Sequence, residues 1–285
     1  MWNPFKPKIE NSDPGQRSLQ LISQKGMPFA YVEAYKSLRT NLNFLSGSGD
    51  VHAFVVTSTV PEEAKSNVSV NLALALTESG KKVVLVDCDL RKPVLHRYLK
   101  AGHNLKGVSN VLSRQVALSD ALVELKDISN LTFLLAGTTP PNPSELLSQP
   151  QMQEMVDTLR GSYDFVILDA PPISMVTDAA VIGRIVDGAL FVVRSKYAST
   201  DAVKTALEKL QDAGVKVLGA VLTRYDAKKS LKRSDYGYGY YYYNSNYSYG
   251  PPDGISESAA EKSCLTSKNR HNGKEKHSVH TEDET

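Results

Sequence analysis

The strongest constraint on the fold is an alternation of short, β-branched apolar runs with helix-like segments. VHAFVVTS (51–58), KVVLVDCD (82–89), LTFLLAG (131–137), DFVILDAPP (164–172), GALFVVRS (188–195) and VKVLGAVLTR (215–224) are apolar at successive positions rather than at every second one. That is the pattern of strands buried on both faces. A helix through NLALALTES, closed by Gly80, follows the first of them. The order predicts an α/β fold: a doubly wound, mostly parallel sheet with helices on both faces and right-handed connections. Ligands of such sheets sit beyond the carboxyl ends of the strands, so the residues that follow each run are the candidates for chemistry.

The flanks differ in character. Residues 1–27 are polar, broken by Pro4, Pro7 and Pro14, and without periodicity; they predict a mobile arm, on which Trp2 and Phe5 are either stray aromatics or a partner-docking pair. After Asp226 the chain passes through KKSLKRSD into a tyrosine-rich stretch, 231–250, and then a polar extension, 251–285, whose only large aliphatics are Ile255, Leu265 and Val279. Neither stretch can bury a core. One domain is therefore expected over 28–230.

Charge and cysteines narrow the function classes. With 33 basic and 31 acidic residues, the net charge of +2 selects neither nucleic acid nor an anionic membrane as partner. Cys88 and Cys264 are too far apart for a metal-ligand motif or a disulfide framework, which fits a reducing cytoplasm. No apolar run approaches the roughly 20 residues of a membrane helix, so direct membrane insertion is not expected and any membrane association would come through a partner.

Between the first strand and its helix lies STVPEEAKS, 58–66. It follows the phosphate-loop spacing GxxxxGK[ST], in which backbone amides wrap phosphate oxygens, the lysine neutralises them and the hydroxyl binds magnesium. Lys65 and Ser66 match; Thr59 and Ala64 stand where the pattern has glycine. The cradle would comprise Thr59, Val60, Pro61, Glu62, Glu63, Ala64, Lys65, Ser66 and Asn67. The plainer alternative is an ordinary strand-to-helix loop with a solvated lysine and Ser66 as N-cap.

Two more strand ends bring carboxylates to the same edge. Asp87 and Asp89, two residues apart, are expected on one face, with Arg91 following, and Asp169 ends DFVILD before two prolines. Magnesium takes only one or two protein carboxylates beside nucleotide oxygens, so this donor set suits a Mg²⁺–nucleotide site. Each aspartate alone would equally cap a turn. All three together with Lys65 and Ser66 favour the nucleotide site.

These motifs resemble those of the bacterial tyrosine kinases of capsule and exopolysaccharide synthesis. The loop at 58–66 is similar to their Walker A, VVLVDCDLR to the additional Walker A′ with its DxDxR core, and FVILDAPP to Walker B. EAYKSLRTNL (33–42), AGTTPPNPSELL (136–147) and the tyrosine-rich terminus are similar as well, so the resemblance runs from about Ala30 to Asn246. It implies that ATP and Mg²⁺ are bound, that Lys65 holds the β- and γ-phosphates, and that Ser66, Asp89 and Asp169 hold the metal. Asp87 would accept the tyrosine proton, and Arg91 would either neutralise the transferring group or brace its loop.

The resemblance also implies a ring-shaped homo-oligomer with Glu33, Lys36 and Arg39 at its interface, Lys36 standing where an arginine is usual. It implies a transmembrane activator that regulates chain length and recruits the chain to the inner face of the membrane, and a cognate tyrosine phosphatase. Thr223 stands where relatives carry an adenine-reading asparagine. A related class of partition and septum-positioning ATPases usually has a second lysine five residues before the loop lysine; here that residue is Val60. A P-loop ATPase switch or a scaffold of polysaccharide assembly is the competing reading.

Eight of the fourteen tyrosines are Tyr236, Tyr238, Tyr240, Tyr241, Tyr242, Tyr243, Tyr247 and Tyr249. No buried strand needs four in a row among Gly, Asn and Ser, so the segment reads as extended and accessible. A sticky low-complexity tail is the alternative. With kinase motifs in the same chain it becomes a phosphorylation substrate, each phosphate adding about −1.5 to −2 charge.

Overall fold

The computed structural model describes residues 20–47, 51–98, 106–124 and 128–225. The chain divides into two units, Met1–Arg233 and Ser234–Thr285, and every described residue belongs to the first. The eight clustered tyrosines lie outside the described residues.

The elements follow the order α1 (Phe29–Gly47), β1 (Ala53–Ser58), α2 (Lys65–Glu78), β2 (Val83–Asp87), α3 (Leu95–Tyr98), α4 (Val108–Leu112), α5 (Leu118–Ala121) and β3 (Leu122–Glu124). They continue with β4 (Leu131–Leu134), α6 (Pro143–Leu147), α7 (Pro150–Arg160), β5 (Phe165–Asp169), α8 (Asp178–Gly183), β6 (Ala189–Arg194), α9 (Thr200–Asp212) and β7 (Val217–Thr223). The seven strands form one sheet in the order β3-β4-β2-β5-β1-β6-β7. All pairings are parallel except that of β3 with β4.

The doubly wound arrangement follows from the side chains of the central strands, which alternate between two apolar layers. Ala53, Val55, Val84, Val86, Val166 and Leu168 pack with Met152 and Val156 of α7 and Ile182 of α8. Phe54, Val56, Val83, Leu85, Phe165 and Ile167 pack on the opposite face with Leu72, Ala73 and Leu76 of α2 and Leu42 of α1. The expected α/β sheet is thus present, with its six long apolar runs as β1, β2, β4, β5, β6 and β7. Gly80, at φ 83°, turns the chain just past α2, a backbone geometry that favours glycine.

Two features differ from expectation. The sheet gains the antiparallel edge strand β3, only three residues long. The expected arm over 1–27 is too long, because its last part packs on the domain. Leu21 and Ile22 are buried, and the Asn71 side chain on α2 clamps their backbone, accepting from Ile22 N–H at 2.8 Å and donating to the Gln20 carbonyl at 2.8 Å. A polar segment with two adjacent aliphatics lacks periodicity, yet two backbone bonds and two buried side chains suffice to hold it. Among the described residues no helix is long and apolar enough to cross a membrane.

Candidate active site

The sheet register assembles the site. Asp87, the last residue of β2, pairs directly with Asp169, the last residue of β5. Val56 of β1 is the other neighbour of Asp169. Two carboxylates therefore stand side by side at the carboxyl edge, next to the strand that feeds the phosphate loop. The chain after β5 closes over that loop, with N–H groups of Ile173 and Ser174 donating to the carbonyls of Ser58 (3.0 Å) and Thr59 (3.3 Å).

Lys65 opens α2 and reaches into this edge. Its Nζ lies 3.1 Å from Asp89 and 3.5 Å from Asp169, and Ser69, one turn along α2, donates to Asp169 at 3.2 Å. Burial works against the lysine's charge, but Asp169, Asp89 and Asp87 together outweigh it and raise its pKa above the ordinary value. Burial likewise raises Asp169 against the opposing pull of Lys65. Asp87 goes up to about 7, first through burial and then through the neighbouring charge of Asp169. Three carboxylates share one ammonium, so negative charge is left over that a further cation would offset.

Asp87 and Asp89 also perform the plainer task of capping. Asp87 accepts the N–H groups of Asp89 (3.2 Å) and Leu95 (3.1 Å), and Asp89 accepts that of Lys92 (3.0 Å). The turn after β2 is thereby fixed by the same carboxylates that line the site. Arg91 leaves the site: its guanidinium donates to buried Asp178 at 3.1 Å and to Ser144 at 2.7 Å. Of its two open roles, these partners are those of a brace, tying the turn to the starts of α6 and α8.

The phosphate loop holds strained backbone. Glu62 and Ala64 have φ of 74° and 72°, conformations that cost a residue with a Cβ about 1 kcal/mol or more. Ala64 is the N-cap of α2, and Ser66, expected as cap in the plainer reading, is already inside the helix. The first bond of α2 runs from Val68 N–H to the Ala64 carbonyl at 2.9 Å, so the amides of residues 65–67 precede the ladder and are available to an anion.

What fixes the loop was not legible beforehand. The buried Glu63 carboxylate accepts Val60 N–H at 2.9 Å within the loop and Arg194 N–H at 3.1 Å from β6. Thr223 of β7 donates its hydroxyl to the Glu63 carbonyl at 2.9 Å. Of the residues proposed for the cradle, the Glu63 side chain thus points into the protein, and Thr59 is buried with its hydroxyl unpartnered. A loop carboxylate carries no sequence signal for such a strut, since its partner outside the loop is supplied by a strand far along the chain.

The three residues expected at an oligomer interface have partners within the chain. Lys36 pairs with Glu33 at 2.7 Å, and Arg39 donates to the Ala75 carbonyl at 2.8 Å near the end of α2.

The donor set suits a hard divalent cation bound together with nucleotide phosphates. It offers oxygen ligands only, with excess negative charge; among the described residues no group of three or more His, Cys, Asp or Glu could hold a metal ion by itself, so the phosphates would have to complete the coordination.

Comparison with known proteins agrees with this chemistry. A protein-family profile described as an AAA domain matches residues 63–217. The tyrosine-protein kinase YwqD of Bacillus subtilis (strain 168) is 37% identical over 205 residues, covering 72% of this chain and 84% of that protein. The tyrosine-protein kinase CpsD of Streptococcus agalactiae is 33% identical over 220 residues, covering 77% of this chain and 94% of that protein. Among solved structures, the kinase domain of the Escherichia coli tyrosine kinase ETK matches with a TM-score of 0.64 at 32% identity, covering 73% of this chain and 80% of that one. Identity sustained over most of both chains, on a fold that gathers Lys65, Asp87, Asp89 and Asp169 at one edge, leads to a single assignment: the chain belongs to the bacterial tyrosine-protein kinase family.

Proposed function

We propose that this chain uses ATP and Mg²⁺ to phosphorylate the tyrosines of its own C-terminal cluster, Tyr236–Tyr249, in trans within a homo-oligomer. The observation that carries the reading is the approach of Lys65 to Asp89 and Asp169 at the mouth of a phosphate loop, with Asp87 beside them pushed up to about 7. The amides of residues 65–67 and the Lys65 ammonium bind the phosphates, while Ser66, Asp89 and Asp169 would hold the metal. A Mg²⁺ ion held by these residues would supply neutralisation of the phosphate charge. Asp87, ionised, accepts the tyrosine proton as the phenolic oxygen forms its bond to the γ-phosphorus and ADP departs with the electrons of the bond that breaks. Arg91 keeps the turn carrying Asp89 in place through Asp178 and Ser144.

The biological setting belongs to the same proposal. The chain would be recruited to the inner face of the membrane by a transmembrane activator and reset by a tyrosine phosphatase. It would regulate the synthesis and export of capsular or extracellular polysaccharide. Phosphorylation would make the tail strongly anionic and loosen the ring, because an acidic active site repels it. In that ring Glu33, Lys36 and Arg39 would exchange their internal partners for a neighbour's residues.

Transfer in trans is tested by mixing two full-length variants with ATP and Mg²⁺. One carries Lys65→Met and an intact tail; the other is active, with all eight clustered tyrosines changed to Phe. Phosphotyrosine on the Lys65→Met chain is expected. Its absence, under conditions where wild type modifies itself, would leave only transfer within one chain.

A further inference from the structure

A nucleotide on this loop has a direction. The carboxylates and the Lys65 ammonium gather at the ends of β2 and β5, on one side of β1, so the transferable phosphate belongs on that side. The nucleoside must leave toward the other side, where β6 and β7 end.

That edge is tied to the loop. Besides the bonds from Arg194 N–H and the Thr223 hydroxyl to Glu63, the Arg194 guanidinium donates to the Glu62 carbonyl at 3.4 Å. The same guanidinium lies over the ring of Tyr197, 4.3 Å from its centroid, and the Tyr197 hydroxyl reaches the Glu62 carboxylate at 3.4 Å. One face of the ring is thus backed by a cation and its tip is anchored on the loop, yet Tyr197 remains 44% exposed. A tyrosine anchored in this way on the phosphate loop, without being buried, presents an aromatic surface on the side toward which the nucleoside extends. The Thr223 hydroxyl spends its proton on the Glu63 carbonyl and has none to donate to a base, whereas the exposed Tyr197 ring offers a stacking surface.

We infer that Tyr197 is the nucleobase platform of this kinase, the purine of ATP stacking on the ring face opposite Arg194. The inference rests on the nucleotide-binding reading above and adds to it the residue that recognises the base. Arg194 acts as a positioning residue, holding the ring through its cation–π contact.

The test is calorimetric titration of the full-length chain with two Mg²⁺-loaded probes, ADP and inorganic tripolyphosphate, which occupies the loop without a base. Tyr197→Ala is expected to weaken ADP about tenfold, the loss of one aromatic–base stack, and to leave tripolyphosphate within about twofold, which also shows that the loop of the variant is intact. Tyr197→Phe, which keeps the ring and loses the bond to Glu62, is expected to stay within about threefold of wild type for ADP. Equal weakening of both probes by Tyr197→Ala would overturn the inference and make Tyr197 only a brace for the loop. So would unchanged ADP binding. A wild-type chain that binds neither probe would overturn the nucleotide reading itself, an outcome distinct from failure of the platform alone.

Discussion

Glu63 and Arg194, 131 residues apart in sequence, are joined by a bond from the Arg194 N–H to the Glu63 carboxylate at 3.1 Å. This bond, with that from Val60 N–H, makes an acidic side chain the internal support of a loop proposed to bind a polyanion. The buried carboxylate is tolerable there because two backbone N–H groups, those of Val60 and Arg194, donate to it. Glu63→Ala leaves two backbone donors without their partner, and each such loss costs about 1–3 kcal/mol. The expected result is a melting temperature lower by about 4 °C or more, with weaker nucleotide binding. Differential scanning calorimetry with and without ADP measures both, and an unchanged melting temperature would remove Glu63 from this role.

Ala64 sits at φ 72° where a phosphate loop usually has glycine. Ala64→Gly relieves about 1 kcal/mol of left-handed strain in the folded state, partly offset by the greater freedom of glycine in the unfolded one. The variant is expected to be unchanged or more stable by up to about 1 kcal/mol, with equal or tighter ADP binding. Denaturant unfolding at equilibrium decides, and destabilisation by 1 kcal/mol or more would contradict the strain.

The Asp87 carboxyl, pushed up to about 7 against an ordinary 3.8, has two pH consequences. In the unliganded chain its proton is held more tightly folded than unfolded. Its contribution to stability is therefore fully present below pH 3.8 and is lost as pH rises through about 7. In activity the sign is opposite, since only the ionised form accepts a proton. The pH profile of kcat/KM for ATP, with the Lys65→Met chain as acceptor, should fall about tenfold per unit on the acid side of an inflection near 7. Asp87→Asn should lower the rate about 10²-fold or more and abolish that inflection. A profile flat from pH 5 to 8 would exclude Asp87 as the base.

Arg91 and Asp178 are 87 residues apart and meet at 3.1 Å, with the carboxylate fully buried. Because the guanidinium is partly exposed, the pair is expected to contribute about 1–3 kcal/mol rather than the full cost of breaking a buried ion pair. In a double-mutant cycle of Arg91→Ala with Asp178→Asn, the double variant should lose less than the sum of the singles by about 1 kcal/mol. Simple additivity in urea unfolding would show that the pair carries no coupling.

The sequence made visible what depends on local pattern. Strands buried on both faces leave unbroken apolar runs, and an aspartate at the end of such a run is conspicuous; so β2, β5, Asp87 and Asp169 could be read directly, and the phosphate loop from Lys65 and Ser66. What stayed hidden depends on distant partners. β3 is three residues long, too short for any period. The hold on Leu21 and Ile22 comes from one asparagine on α2, and the inward turn of Glu63 from strands more than a hundred residues away. Arg91 shows the limit well: DxDxR put it beside the site, but only the position of Asp178 decided which way its guanidinium turned.

The most direct test of the account is mass spectrometry of the purified full-length chain after incubation with ATP and Mg²⁺, with and without a candidate activator segment, comparing wild type with Lys65→Met. The account predicts phosphate on the tyrosines of 236–249 in wild type and none in the variant. A wild-type tail that stays unmodified while nucleotide and activator are both bound would contradict it.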